Sequence, residues 1–210
     1  GIGHMLRTEL FDSFDLDVKV GLLNNGHAPV VNERHFHFDE ELFKMCPDHV
    51  DLRGYFQTEK YFKHIEKEIR SDFTFKDEIL NPCKEMIESV ENPIALHVRR
   101  GDYIKNAENH FNLPREYYEA ALSKFDSNRN VLVFSDDPVW CHDEGTFADD
   151  RCSISENEDT RVDLCLMSLC DDFIIANSSY SWLGAWLSAN KDKTVIAPAQ
   201  WFGKTGYTKD

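Results

Sequence analysis

The feature that most constrains this chain is the way its second half alternates two hydrophobic periods. Ile94–Val98, Val131–Phe134, Phe173–Ala176 and Thr194–Ala197 are short, continuous apolar runs. Between them lie stretches with helical spacing: Arg115–Phe125, Thr160–Cys170 and Tyr180–Ser188. A strand apolar on both faces must be covered on both faces, so this order predicts a parallel sheet sandwiched by helices, a Rossmann-like α/β unit. The break at Asn92-Pro93, where the residue before proline avoids the helical region, predicts a domain boundary. This gives 1–92 as a partial N-terminal region with helices and 93–210 as the α/β domain.

The N-terminal region is less regular. Leu10, Phe11, Phe14, Leu16, Val18 and Val20 alternate loosely, and Asn24-Asn25-Gly26 predicts a turn. His35 and His37 would share one face if extended, and with no third ligand at a typical spacing they read as surface histidines. Tyr61, Phe62, Ile65 and Ile69 predict a helix from Thr58, and a second over Lys84–Val90 would turn Met86, Ile87 and Val90 inward. Gly1-Ile2-Gly3-His4-Met5 resembles a vector remnant, so the native start is expected to be absent.

Charge narrows the partners. Of 210 residues, 23 are Lys or Arg and 38 Asp or Glu, a formal net charge of −15, which argues against nucleic acid or an anionic membrane surface. Any anion must be held by a few focused donors. Cys46, Cys83, Cys141, Cys152, Cys165 and Cys170 show no CxxC spacing, and Cys165 and Cys170 in an apolar run read as buried thiols. No run is long enough to span a membrane and no signal peptide is visible, so membrane contact would be peripheral or through a missing segment.

Ligands of such sheets bind beyond the carboxyl ends of the strands, which selects four clusters. In His97-Val98-Arg99-Arg100-Gly101-Asp102-Tyr103, alternation puts His97 and Arg99 on one face and Val98 and Arg100 on the other. Arginine's planar fork suits a diphosphate, and Gly101 would allow a sharp exit. One arginine could instead form a structural bridge to Asp102, a reading left open for Arg100. Of Asp136 and Asp137, before Pro138, one is expected to cap a helix and the other to face the cleft. Asp163, acidic in an apolar helix, could accept the N1–H and amino edge of guanine. Asn177-Ser178-Ser179-Tyr180-Ser181 would place hydroxyls and free N–H groups at a helix start, an anion site needing no base; Ser178 or Ser179 would cap it.

These residues together resemble the α-1,2-fucosyltransferases, glycosyltransferase family 11. His97–Tyr103 fits the HxRRGDY signature, Phe134–Asp137 FSDD, Leu166–Cys170 LMSLC, and Asn177–Leu187 resembles NSSFSWWGAWL with departures at Tyr180 and Leu183. Gly54–Phe62 resembles a segment common in bacterial members. The resemblance implies the C-terminal donor domain of a GT-B type enzyme that transfers L-fucose from GDP-fucose, with inversion, to a hydroxyl of a galactoside or oligosaccharide acceptor, with no metal or other cofactor. It implies Arg99 at the β-phosphate, His97 and Asp163 at guanine, Ser178 and Ser179 at the diphosphate, and Arg100 and Asp102 supporting the loop. Arg99 and Asp102 are the catalytic candidates, Asp102 and Glu108 being the nearby carboxylates that could act as base; His97, Arg99, Arg100, Asp136, Asp163, Ser178 and Ser179 are the substrate-binding ones. The family's opening GGLGNQMFQYA is missing, which predicts an N-terminal truncation. A bacterial member would lie in the cytoplasm or at the inner membrane, an animal one in the Golgi. Two other readings compete: a non-catalytic nucleotide-sugar-binding module or inactive fragment, and an adhesion site at Arg100-Gly101-Asp102.

Overall fold

The computed structural model describes residues 9–16, 28–143 and 145–203. These described residues fall into two compact units, one holding 9–15 with 75–143 and 145–203 and the other 16 with 28–74. The predicted turn at Asn24-Asn25-Gly26 lies outside the described residues.

The larger unit holds helix α1 (Glu9–Ser13) and a five-stranded sheet. In chain order the smaller unit follows with β1 (Val30–Asn32), α2 (Glu40–Met45), β2 (Asp51–Arg53) and α3 (Glu66–Asp72). The larger unit then resumes with α4 (Asp77–Ile87), β3 (Ile94–Val98), α5 (Gly101–Lys105), α6 (Arg115–Leu122), β4 (Val131–Ser135) and α7 (Pro138–Asp143). It ends with β5 (Cys152–Ile154), α8 (Thr160–Ser168), β6 (Asp172–Ile174), α9 (Ser179–Leu187) and β7 (Val195–Ile196).

The sheet order is β5-β4-β3-β6-β7, every pairing parallel. The apolar runs become strands because both faces are covered: all five residues of β3 are buried. Ile94, Leu96 and Val98 share a core with Val131, Val133, Tyr118, Leu122 and Phe147. Ala95 and His97, pointing the other way by strand alternation, are also buried. Chain order runs outward from β3 to β4 and β5, then restarts on its other side with β6 and β7, so the switch point lies between β3 and β6.

Helices α8 and α9 pack closely because position 184 carries no side chain: a Cβ there would run into the Met167 sulfur. Gly184→Ala is therefore expected to destabilise the chain by about 1–3 kcal/mol through overpacking, read as a lower melting temperature.

The N-terminal helices differ from their predicted bounds. The division between units falls at 74/75, and α4 lies in the same unit as the sheet. It begins at Asp77, accommodates Pro82 inside, and buries Ile79 and Cys83; Met86, predicted inward, is exposed, while Ile87 and Val90 are half-buried. Instead of one helix from Thr58, two 3-10 turns (Glu59–Tyr61 and Lys63–Ile65) precede α3. Phe62 at φ −131° breaks the helical path, and the Tyr61 hydroxyl is pinned where it accepts the Asp39 N–H at 2.9 Å. Arg34 pairs with the buried Asp39, holding its carboxyl below the usual range, and Asp39 caps α2 through the Leu42 N–H. His35 and His37 lie in a bend with stacked rings 3.6 Å apart. Cys165 and Cys170 are buried free thiols, as predicted.

Candidate functional site

The loops leaving the carboxyl ends of β3 and β6 meet at the switch point. The Tyr103 hydroxyl donates to the Asn177 carbonyl at 2.9 Å. The Arg99 guanidinium carbon stands 5.3 Å from the centre of the Tyr103 ring, and the His97 ring lies 5.5 Å from that of Tyr180. Tyr103 thus stands between Arg99 and the 177–181 loop.

Arg99 is doubly paired, Nη2 with Asp102 Oδ1 at 2.6 Å and Nη1 with Asp136 Oδ2 at 2.9 Å. Arg100 faces the other way, as strand alternation requires: its Nε donates to Asp137 Oδ2 at 3.1 Å and its guanidinium lies 4.0 Å over the Trp140 ring. The partner of Asp102 is therefore Arg99, and Arg100 bridges to Asp137 instead. An adhesion motif must display Arg100 and Asp102 together, but the Arg100 side chain is only 24 % exposed and engaged on both sides. The adhesion reading fails.

The two aspartates before Pro138 divide their work. Asp137 caps α7 by accepting the Trp140 N–H at 3.1 Å. Asp136 reaches across to the β3 loop, accepting the Arg100 backbone N–H at 2.8 Å as well as Arg99. Its carboxylate fills the space a Cβ at residue 101 would need, which is why that position is glycine. The sharp exit expected of Gly101 is not the reason, since its φ is not positive.

Asp163 on α8 is 8 % exposed. Its Oδ1 accepts from the Ser155 hydroxyl at 2.6 Å and the Asn157 amide at 3.0 Å. Burial raises its pKa, and those two hydrogen bonds only partly offset the rise. Nearby, the Tyr180 hydroxyl donates to the Thr160 carbonyl at 2.6 Å, tying the start of α9 to the start of α8. Ser155 and Asn157 escaped the sequence reading because they sit in a polar stretch without period. Tyr180 was visible only as a departure from a motif.

Ser178 occupies the cap position of α9 but makes no side-chain capping bond, and Ser179 opens the helix in the exposed surface. The Ser181 hydroxyl is spent on the Ala176 and Ser178 carbonyls. Asn177 anchors the loop from beneath, donating to the Phe111 and Trp201 carbonyls. The first N–H groups of α9 are thus left without a capping side chain.

His97 is 4 % exposed, and its Nδ1 has no hydrogen-bond partner among the described residues. Burial, helped by the nearby Arg99 charge, pushes its pKa down to about 3 from an ordinary 6.5, so the ring is neutral at physiological pH. An unfolded chain takes up this proton below about pH 6.5 while the folded one resists it until about pH 3. His97 therefore contributes a loss of stability as pH falls through that window. His97→Gln is expected to flatten that portion of the melting-temperature profile relative to the unaltered chain. An unchanged profile would contradict the assignment.

Among the described residues no group of three or more His, Cys, Asp or Glu side chains could hold a metal ion, and no helix is long and apolar enough to cross a membrane.

A parallel sheet covered on both faces, with polar side chains gathered at its switch point, defines an α/β protein of the kind whose ligands bind beyond the strand ends. A family model described as Glycosyl transferase family 11 matches residues 26–207, and the chain belongs to that family. It is 37 % identical over 174 residues to the O-antigen biosynthesis glycosyltransferase WbnK of Escherichia coli, covering 75 % of this chain and 57 % of that protein. It is 35 % identical to an Escherichia coli alpha-1,2-colitosyltransferase, covering 73 % and 56 %. A more distant relative, at 24 % identity, is mouse galactoside 2-alpha-L-fucosyltransferase Sec1, with coverage of 81 % and 52 %. The chain thus spans little more than half the length of these relatives. Among solved structures, POFUT1 in complex with GDP shares the fold with a TM-score of 0.52 at 14 % identity, over 76 % of this chain and 59 % of that one. The fold is α/β of the GT-B type, as predicted.

Proposed function

We propose that this chain carries the donor-binding part of a glycosyltransferase that moves L-fucose, or a closely related deoxysugar, from its GDP ester to a hydroxyl of a glycan. The relatives named for α-1,2 linkage, among them a colitosyl- and a fucosyltransferase, favour that linkage. A galactoside acceptor and inversion at the sugar's anomeric carbon belong to the same reading. The observation that carries it is Arg99, at the carboxyl end of the central strand and joined through Tyr103 to the start of α9.

In this reading Arg99 and the N–H groups of α9, with Ser178 and Ser179, hold the diphosphate; His97 and Asp163 contact guanine. Arg100, Asp136 and Asp137 fix the loop that presents Arg99. As the glycosidic bond breaks, negative charge grows on the β-phosphate, and a guanidinium already in place stabilises that state more than the bound donor. Because Arg99 supplies that charge, transfer is expected to proceed without a metal. The test is calorimetry with GDP, ADP and UDP, followed by transfer from GDP-fucose. GDP-selective binding with transfer is expected. GDP binding without turnover would favour a nucleotide-binding module, and indifference among the three nucleotides would overturn both.

A further inference from the structure

The ion-paired cluster that the segments after β3 and β4 form around Arg99 contains more negative than positive charge. Arg99 and Arg100 face Asp102, Asp136 and Asp137, all within ion-pair distance, so the cluster is one formal negative charge in excess. His97 is neutral and does not redress the balance. A diphosphate entering this set meets carboxylates where it needs donors, and like charges at such spacing repel. One carboxylate must give way.

The geometry identifies which. Asp136 is held by Arg99 and the Arg100 backbone N–H, lies against Gly101, and its side chain is 25 % exposed. Asp137 is committed to capping α7 and to Arg100. Asp102 is different: its side chain is 65 % exposed, and its carboxylate is engaged by Arg99 Nη2.

Resting on the donor-binding reading above, we propose that Asp102 is a displaceable counter-ion. It holds Arg99 Nη2 and yields that position to a phosphate oxygen when the diphosphate arrives. Asp136 keeps Nη1 throughout, so the guanidinium stays aimed while one edge of its fork changes partner. When the nucleoside diphosphate leaves, Asp102 returns. Asp102 thereby competes with the ligand and speeds release, a positioning role exerted through Arg99 and distinct from that of a base acting on the acceptor.

The test is GDP and GMP binding to the chain and its variants, by calorimetry at fixed low salt. Asp102→Asn removes the competing charge, and GDP is expected to bind about two- to fivefold more tightly, the scale of an exposed ion pair. GMP, which lacks the β-phosphate, is expected to bind unchanged. Asp102→Glu restores the charge and is expected to bring GDP affinity back toward that of the unaltered chain. Should Asp102→Asn melt early, Asp102→Ser carries the same expectation. GDP binding no tighter in the neutral variants, or GDP and GMP affinities shifted together, overturns the proposal while leaving the donor-binding reading intact. Failure of the unaltered chain to prefer GDP over ADP and UDP would overturn that reading instead, and this one with it.

Discussion

Arg99→Ala is expected to slow transfer from GDP-fucose by 2–4 kcal/mol of transition-state stabilisation, about 30- to 1,000-fold, on the scale of other preorganised charge-stabilising donors. GDP-fucose affinity should fall alongside but by less, because the diphosphate of the bound donor carries less charge at the bridging oxygen than the departing GDP does. Arg99→Lys is expected to recover little. One ammonium cannot span Asp102 and Asp136 with separate nitrogens as the guanidinium does. The variant leaves Asp136 its bond from the Arg100 N–H, so the loop retains a tether, and a melting curve checks that it does. Initial rates decide the matter: near-normal turnover in Arg99→Ala would remove this residue from the reaction.

The sheet was legible because its strands are governed by a local rule. β3 matches its predicted span from Ile94 to Val98 residue for residue, since a strand buried on both faces must be apolar throughout. β5 was invisible for the converse reason. At the sheet edge, Cys152-Ser153-Ile154 is three residues long with an exposed centre, and leaves no run to detect. α4 contains Pro82, which usually ends a helix, so its first half carries no readable signal. The smaller unit is held by contacts distant in sequence: Glu33 Oε2 accepts the backbone N–H groups of Tyr55 and Phe56. No periodicity announces such a bond.

The same division separates the parts of the site. Arg99, Asp136 and the 177–181 loop follow from strand ends, and strand ends were readable. What each charged group pairs with was not, because five ionic side chains within two loops admit several pairings. Only the direction of Arg100 toward Trp140 leaves Asp102 to Arg99. Ser155 and Asn157 join the site solely because β5 delivers them beside α8.

Asp163 offers the second large effect, on selectivity. Ser155 and Asn157 both donate to Oδ1, which fixes the carboxylate's orientation and leaves Oδ2 as the oxygen for a ligand. A guanine presents N1–H and an amino group to such an acceptor, whereas adenine presents an unprotonated N1 that a carboxylate repels. A hydrogen bond to a charged group is worth about 1.5–3 kcal/mol, so the loss of one such bond in Asp163→Ala is expected to weaken GDP binding about 10- to 100-fold while ADP binding barely changes. Acid should imitate the variant. Burial raises the carboxyl's pKa, so the proton that destroys the acceptor arrives at a higher pH than for an ordinary aspartate, whose value is near 3.8. GDP affinity is then expected to decline on acidification before ADP affinity does, and the difference should vanish in Asp163→Ala. If that variant still prefers GDP over ADP, the base is recognised elsewhere and Asp163 serves only to join α8 to the loop after β5.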